Sequence, residues 1–202
     1  VAEPREGARL HAPAAARNLV PLTELLLAHA PREGTALELA SGTGQHVASF
    51  AAALPGLAWT PSEIDPARRA SIDAHVAEAR LTNVVEAAYL DAARPGWGAE
   101  QYPRDLVVLI NLLHLIPRES VRTVICEAAE ALAPGGTLVI YGPFRRGGQL
   151  TSEGDRRFDA ELRAADATIG YKDDVDIATM LSDAALSPID MAEMPANNRT
   201  FI

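Results

Sequence analysis

Residues 36 to 47 read Ala-Leu-Glu-Leu-Ala-Ser-Gly-Thr-Gly-Gln-His-Val, an apolar run, a glycine turn and a helix start in direct succession. Ala36 to Leu39 is a short apolar strand that carries one acid, Glu38. A turn built on Gly42 and Gly44 follows, and a helix starts near Gln45. The glycines let the backbone turn sharply and come close to a ligand. The helix start offers free N–H groups and a partial positive charge. Strand, glycine turn and helix N-terminus together make a cradle for a nucleotide-like ligand.

Outward from this cradle the chain alternates. The helix from Gln45 to about Leu54 places Val47, Phe50 and Ala51 on one face, and Pro55-Gly56 ends it. Leu57 to Thr60 is a second strand, Pro66 to Arg80 a helix, and Val84 to Ala88 a third strand leading to Leu90-Asp91. Asp91 to Gln101 is a loop or short helix. Leu106 to Asn111 is a continuous apolar run, which suits a strand buried on both faces of a parallel sheet. Arg118 to Leu132 reads as a helix and Thr137 to Tyr141 as a fifth strand. Upstream, residues 1 to 12 form a loose arm. Ala14 to Ala30 is a helix with Leu19, Leu22, Leu25 and Leu26 at helical spacing. Pro21 either kinks this helix or marks its proper start.

After Tyr141 the pattern changes. Gly142 to Gly154 is a long loop, followed by a helix through Phe158 to Arg163 capped by Ser152 or Asp155. Residues 164 to 173 are polar and irregular. Val175 to Ala185 is a helix capped by Asp174 or Asp176. Pro188 to Met194 and Arg199 to Ile202 are strands joined by Pro-Ala-Asn-Asn, a plausible hairpin turn because Asn tolerates positive φ. The fold class expected is α/β, a doubly wound, mostly parallel sheet with a C-terminal antiparallel hairpin. Residues 1–202 are expected to be one domain: arm and helix over 1–35, ligand-binding core over 36–141, and a substrate-side part over 142–202.

Composition narrows the function. The chain has 202 residues, 48% hydrophobic and 22% charged, as a globular protein with a sizeable core has. No apolar run approaches the roughly 20 residues that span a bilayer. The first residues lack the apolar stretch of a signal peptide, so a cytoplasmic location and no membrane partner are expected. The lone Cys126 cannot form an internal disulfide, and its apolar helical setting predicts a core position. A net charge of −9 argues against a nucleic-acid partner. No metal cluster is expected. Monomer and homodimer both stay open.

In open α/β sheets, ligands bind beyond the carboxyl ends of the strands. Glu38 is the informative residue, because a carboxylate in an apolar strand is costly without a purpose. It would repel the pyrophosphate of a dinucleotide. It suits a cofactor with a cationic amino end and no phosphate, such as S-adenosylmethionine (SAM). A nicotinamide enzyme would also have a third glycine where Val47 stands. Glu63, after strand two, can accept from both hydroxyls of a ribose, while Asp65 before Pro66 reads as a helix cap. Asp91 suits the exocyclic amine of an adenine. Asn111, Leu112 and His114 follow strand four, and Tyr141 ends strand five.

These residues carry a family pattern. Leu-Glu-Leu-Ala-Ser-Gly-Thr-Gly (37–44) resembles motif I of class I SAM-dependent methyltransferases, with Ala40 where a glycine is commonest. Ser-Glu-Ile-Asp-Pro (62–66), Leu-Asp-Ala (90–92), Asp-Leu-Val-Val-Leu-Ile-Asn-Leu-Leu-His-Leu-Ile-Pro (105–117) and Leu-Ala-Pro-Gly-Gly-Thr-Leu-Val-Ile-Tyr-Gly-Pro-Phe (132–144) resemble the later motifs, in order. Arg-Asn-Leu-Val-Pro-Leu, Ala-Ser-Gly-Thr-Gly-Gln-His, Trp-Thr-Pro-Ser-Glu-Ile-Asp, Tyr-Gly-Pro-Phe, Gly-Gln-Leu-Thr-Ser-Glu, Phe-Asp-Ala-Glu-Leu-Arg and Met-Pro-Ala-Asn-Asn are similar to the methyltransferase-like 26 family over nearly the whole chain. Departures are Glu63 for Asp, and Tyr171-Lys172 for an Ile-Arg-like pair. The resemblance implies a seven-stranded fold and SAM as cofactor, and leaves the substrate unspecified. On this reading Glu38, Ala40, Gly42, Gly44, His46, Glu63, Asp91, Asn111 and Leu112 bind the cofactor. His114 and Tyr141 are catalytic candidates, and Arg17, Asn18, Asn197 and Asn198 lie on the substrate side. The expected function is SAM-dependent methyl transfer to a small molecule. A SAM-binding protein without transfer and an interaction scaffold are the alternatives.

Overall fold

The computed structural model describes residues 2–4 and 7–202. Its elements in chain order are β1 (Glu3–Pro4), β2 (Leu10–His11), α1 (Pro13–His29), β3 (Gly34–Leu39), α2 (Gln45–Ala53), β4 (Leu57–Pro61), α3 (Pro66–Glu78), α4 (Trp97–Gln101) and β5 (Arg104–Ile110). Then come α5 (Arg118–Ala131), β6 (Leu132–Arg145), α6 (Glu153–Ala165), β7 (Lys172–Asp173), α7 (Asp174–Asp183), β8 (Met191–Glu193) and β9 (Asn198–Phe201). The main sheet has seven strands in the order β4-β3-β5-β6-β9-β8, with β7 joining β6. β3 runs parallel to β4 and to β5. β9 runs antiparallel to β6 and β8. The expected α/β class with a closing antiparallel hairpin holds. No helix among the described residues is long and apolar enough to cross a membrane.

The chain divides into two compact units. The first contains the described residues up to Asp91, with Pro103–Leu109 and Leu132–Thr137. Ala36, Leu37 and Leu39 on β3 and Leu106 to Leu109 on β5 are buried, as continuous apolar runs in a parallel sheet should be. α1 buries Ala15, Leu22, Leu25 and Leu26 and continues through Pro21. α2 buries Val47 and Phe50, and the Phe50 ring lies 5.9 Å from that of Trp59. Asp65 caps α3 by accepting from the N–H groups of Ala67 and Arg68. The arm is tied down at its end: Leu10 N–H donates to Ser71 Oγ and Ala12 N–H to Gln45 Oε1.

One expected strand is absent. Val84–Ala88 makes only isolated parallel bridges at Trp59–Val84 and Ser62–Ala88. Val85 N–H donates to the Trp59 carbonyl and Ala88 N–H to that of Pro61, while Ala87 N–H turns to Asp73 Oδ1. Three residues thus advance against two on β4, and the side-chain acceptor breaks the ladder, as in a bulge.

The second unit contains Ala92–Tyr102, Ile110–Ala131 and Leu138–Ile202. α5 buries Val121, Val124, Ile125, Ala128 and Ala131. Cys126 lies off that stripe and is exposed, which corrects its expected core position. β6 extends past Tyr141 to Arg145, so the expected loop begins later. Gly142 and Pro143 pair with β9, and Phe144 with β7. Ser152, not Asp155, caps α6. Asp173, rather than Asp174 or Asp176, caps α7. The turn between β8 and β9 places Ala196 and Asn197 at φ 57° and 59°.

Candidate functional site

In the first unit the cradle sits where β3 ends. The turn is sealed from beneath. Ser41 N–H donates to the Ser62 carbonyl (2.8 Å). Ser62 donates to the Glu38 carbonyl through both its N–H and its Oγ (2.9 Å each). Ala40 has φ 50°, a conformation costing an L-residue about 1–2 kcal/mol. The backbone therefore has the shape that favours glycine, although alanine occupies it. Gly44 has φ 91°, and a Cβ there would lie 2.6 Å from Ile72 Cα. The turn thus packs directly on α3.

Glu63 is preset. Its Oε2 accepts from Gly42 N–H (3.0 Å), and its Oε1 from the N–H groups of Ile64 (2.8 Å) and Asp65 (3.2 Å). Arg68 lies 3.7 Å away. Glu38 is the opposite case. It is 1% exposed, and its Oε2 is buried with no partner among the described residues. Burial raises its pKa from 4.5 to about 8, a hydrogen bond from Ser41 opposes this, and the charge of Glu63 adds to the rise. His46 Nε2 lies 2.8 Å from Asn18 Oδ1, and its ring stacks on Phe50. Burial lowers the His46 pKa to about 4, so it is neutral near pH 7. The structure thus brings Asn18 to His46 while Arg17 stays exposed. Asp91 is half-buried at the end of the segment that follows α3.

In the second unit Asn111 has φ 57° and donates its N–H to the Tyr141 carbonyl (2.9 Å). Leu112 leads into a 3-10 turn over Leu113–Leu115. This turn buries His114, whose ring packs edge-on against Phe158 (5.8 Å) and Tyr171 (6.2 Å). Burial, followed by the charge of Lys172, lowers the His114 pKa to about 4. Tyr141 is buried within β6. Asn197 Nδ2 donates to Asp155 Oδ2 (3.2 Å), whereas Asn198 Nδ2 closes its own turn on the Pro195 carbonyl (3.0 Å).

Sequence reading missed the hub of this cluster. Asp155 is buried and also accepts from Thr151 Oγ1 (2.6 Å), Ser152 Oγ (2.8 Å) and the Tyr171 hydroxyl (3.3 Å). Burial alone would raise its pKa, but these four hydrogen bonds hold it below the usual carboxylate range. The same environment lifts the Tyr171 hydroxyl well above the usual range of a phenol: burial acts first, then the charge of Asp155. The Ser152–Asp155 spacing, which resembles a capping box, was the available signal. Tyr171 had none. Among the described residues, no group of three or more His, Cys, Asp or Glu could hold a metal ion.

Solved structures share this architecture. An O-methyltransferase family protein from Burkholderia thailandensis aligns with a TM-score of 0.75 at 19% identity, over 93% of this chain and 56% of its own. An O-methyltransferase family 2 protein from Planctomyces limnophilus DSM 3776, in complex with apigenin, aligns with a TM-score of 0.78 at 17% identity, over 93% and 57%. CalO1, a methyltransferase in calicheamicin biosynthesis solved in its SAH-bound form, aligns with a TM-score of 0.73 at 16% identity, over 94% and 54%. The chain thus spans just over half the length of each. The fold is shared with these methyltransferases. The chain belongs to the family described as protein of unknown function DUF938, whose model matches residues 9–202.

Proposed function

We propose that this protein is a SAM-dependent methyltransferase acting on a small molecule. The observation that carries the reading is Glu38: a buried carboxyl at the end of β3 with one oxygen lacking a partner among the described residues. An unpaired polar atom in that position costs stability, and a cationic donor offsets the cost. The amino end of SAM is such a donor, so the residues present fit the cofactor.

On the first unit, Gly42 and Gly44 admit the methionine part, with Ala40 shaping the turn and His46 beside it. Glu38 holds the ammonium group, Glu63 the ribose and Asp91 the adenine amine. On the second unit, Asn111 and Leu112 line the adenosine. His114 and Tyr141 face the acceptor, with Arg17, Asn18, Asn197 and Asn198 assigned to the substrate side. Bound SAM supplies a methyl group on a sulfonium, which an incoming nucleophile displaces in line. The chain's own task is to orient that nucleophile and exclude water. Kinship with the methyltransferase-like 26 family and a cytoplasmic location, as monomer or homodimer, belong to the same proposal. A neighbour solved with apigenin supports a small-molecule acceptor.

The test is calorimetric titration with SAM, S-adenosylhomocysteine and NADH, on the wild type and on Glu38→Gln. Micromolar binding of the first two, lost or strongly weakened in the variant, is expected. Failure of both to bind would overturn the proposal, and binding of NADH would replace it with an oxidoreductase.

A further inference from the structure

The second unit also carries a cavity of about 320 Å³ that the roles above do not use. Arg118, Arg145, Arg163, Lys172 and Tyr171 line it. In a chain with a net charge of −9, four cations around one cavity call for an explanation.

Their pairing is incomplete. Arg145 Nη2 (3.0 Å) and Arg163 Nε (2.9 Å) both donate to the same oxygen, Asp159 Oδ2. The other oxygen of Asp159 is taken by Tyr171 N–H (2.6 Å). One carboxylate therefore serves two guanidinium groups. Arg145 Nε is buried with no acceptor among the described residues. Lys172 Nζ donates to the uncharged carbonyls of Ile116 (2.8 Å) and Gly170 (2.7 Å). Two acids also line the cavity, but both are committed. Asp176 pairs with Arg118 (3.3 Å), and Asp173 accepts from the N–H groups of Val175 and Gly148. Backbone N–H groups leave the charge of Asp173 in place, so four cations face the three carboxylates of Asp159, Asp173 and Asp176. A net positive charge is left over, partly withdrawn from water, where unpaired cations are costly.

We propose that this cavity is a binding subsite for an oxyanion, the carboxylate or phosphate group of a small acid. Guanidinium groups present their N–H donors as a planar fork that matches two oxygens, and a lysine adds a point charge. The volume holds such a group with several further atoms attached. Tyr171 forms one wall, and its ring also packs against His114. The bound acid thus lies one side chain away from the residue assigned to the acceptor. The site itself does not depend on methyl transfer.

The test uses inorganic phosphate and malonate, each titrated calorimetrically into the full chain with and without SAM. Saturable binding of one equivalent is expected, weakened about tenfold or more in Lys172→Met and in Arg163→Gln, as loss of a charge-assisted contact should give. Arg118→Gln on the rim is a third variant, in case the others fold poorly. Tighter phosphate than malonate identifies a phosphate ester as the ligand type, and the reverse identifies a carboxylic acid. Absence of saturable binding to both probes overturns the proposal, as does equal binding by folded variants. In the latter case Lys172 only ties the Ile116 and Gly170 carbonyls together. SAM titration of the same samples separates this outcome from failure of the methyltransferase reading.

Discussion

Replacing Glu38 by Gln tests the cradle without any ligand. The substitution keeps the shape of the side chain and removes its titration. In the folded protein the carboxyl pKa is raised from 4.5 to about 8. Between those values the folded chain keeps a proton that the unfolded chain has released. The unfolded state then binds fewer protons, so stability falls as pH rises, by at most about 1.4 kcal/mol per pH unit. Across the whole interval the ceiling is on the order of 5 kcal/mol. Below pH 4.5 both states are protonated and nothing is lost; above pH 8 the loss is complete. The amide of the variant does not titrate and carries no such penalty. The stability difference between variant and wild type should therefore be small near pH 5 and should grow by several kcal/mol in favour of the variant by about pH 8.5. Urea denaturation of both proteins at about pH 5, 6.5 and 8.5, with unchanged m, measures it. Titrations common to both proteins cancel in the difference. A difference flat to about 0.5 kcal/mol across this range would refute the argument, because Glu38 would then be ionised and already paired.

Three further outcomes follow from the same geometry. With its pKa near 8, Glu38 is about nine-tenths protonated at pH 7, so SAM binding there should release close to one proton. Calorimetry in two buffers of different ionisation enthalpy reads this, and zero release means that the ammonium does not meet Glu38. Gly44→Ala forces a Cβ to 2.6 Å from Ile72 Cα at φ 91° and should cost about 3 kcal/mol or more in thermal unfolding. A cost under about 1 kcal/mol would mean that α3 yields freely. Ala40→Gly relieves about 1–2 kcal/mol of left-handed strain against about 0.5–1 kcal/mol of added unfolded-state entropy. A small rise in midpoint is expected, and a clear fall would show that the Ala40 methyl packs well enough to outweigh its strain.

The cradle was legible because its signals are local. The apolar run before Gly42, the glycines and the Asp65-Pro66 cap each act on their immediate neighbours, and β3, α2 and α3 form where those signals fall. What stayed hidden depends on partners distant in the chain. Val84–Ala88 has strand character, but Asp73 reaches in and takes the N–H of Ala87. β6 outlasts Tyr141 because Lys172 and Asn198 lie alongside it. Cys126 faces outward although its neighbours Ile125 and Glu127 are buried, a matter of one position on the helix. The Asp155 hub draws on Tyr171 and Asn197, each far along the chain, and no local pattern announces it.

The protonation states of the second unit bear on the kind of acceptor the proposed enzyme would use. His114 is neutral at pH 7, yet with a pKa near 4 it is a weak base. General-base efficiency is best when the pKa lies close to the working pH, so His114 is poorly suited to removing a proton from an unactivated hydroxyl. The Tyr171 hydroxyl is pushed in the wrong direction for a base, and Asp155 is committed to four donors. What these groups do well is hold position: each is buried and tied to at least one of the others. The arrangement therefore favours an acceptor that brings its own lone pair, such as a neutral amine, a thiolate or an acidified phenol. With such a nucleophile, orientation toward the methyl group supplies most of the rate. With a pKa near 4 the His114 ring is unprotonated from about pH 6 to 8 whichever role it plays, so the test is kcat itself. A kcat largely kept in His114→Phe with an altered KM is the signature of positioning, and a large loss of kcat would assign proton removal to His114.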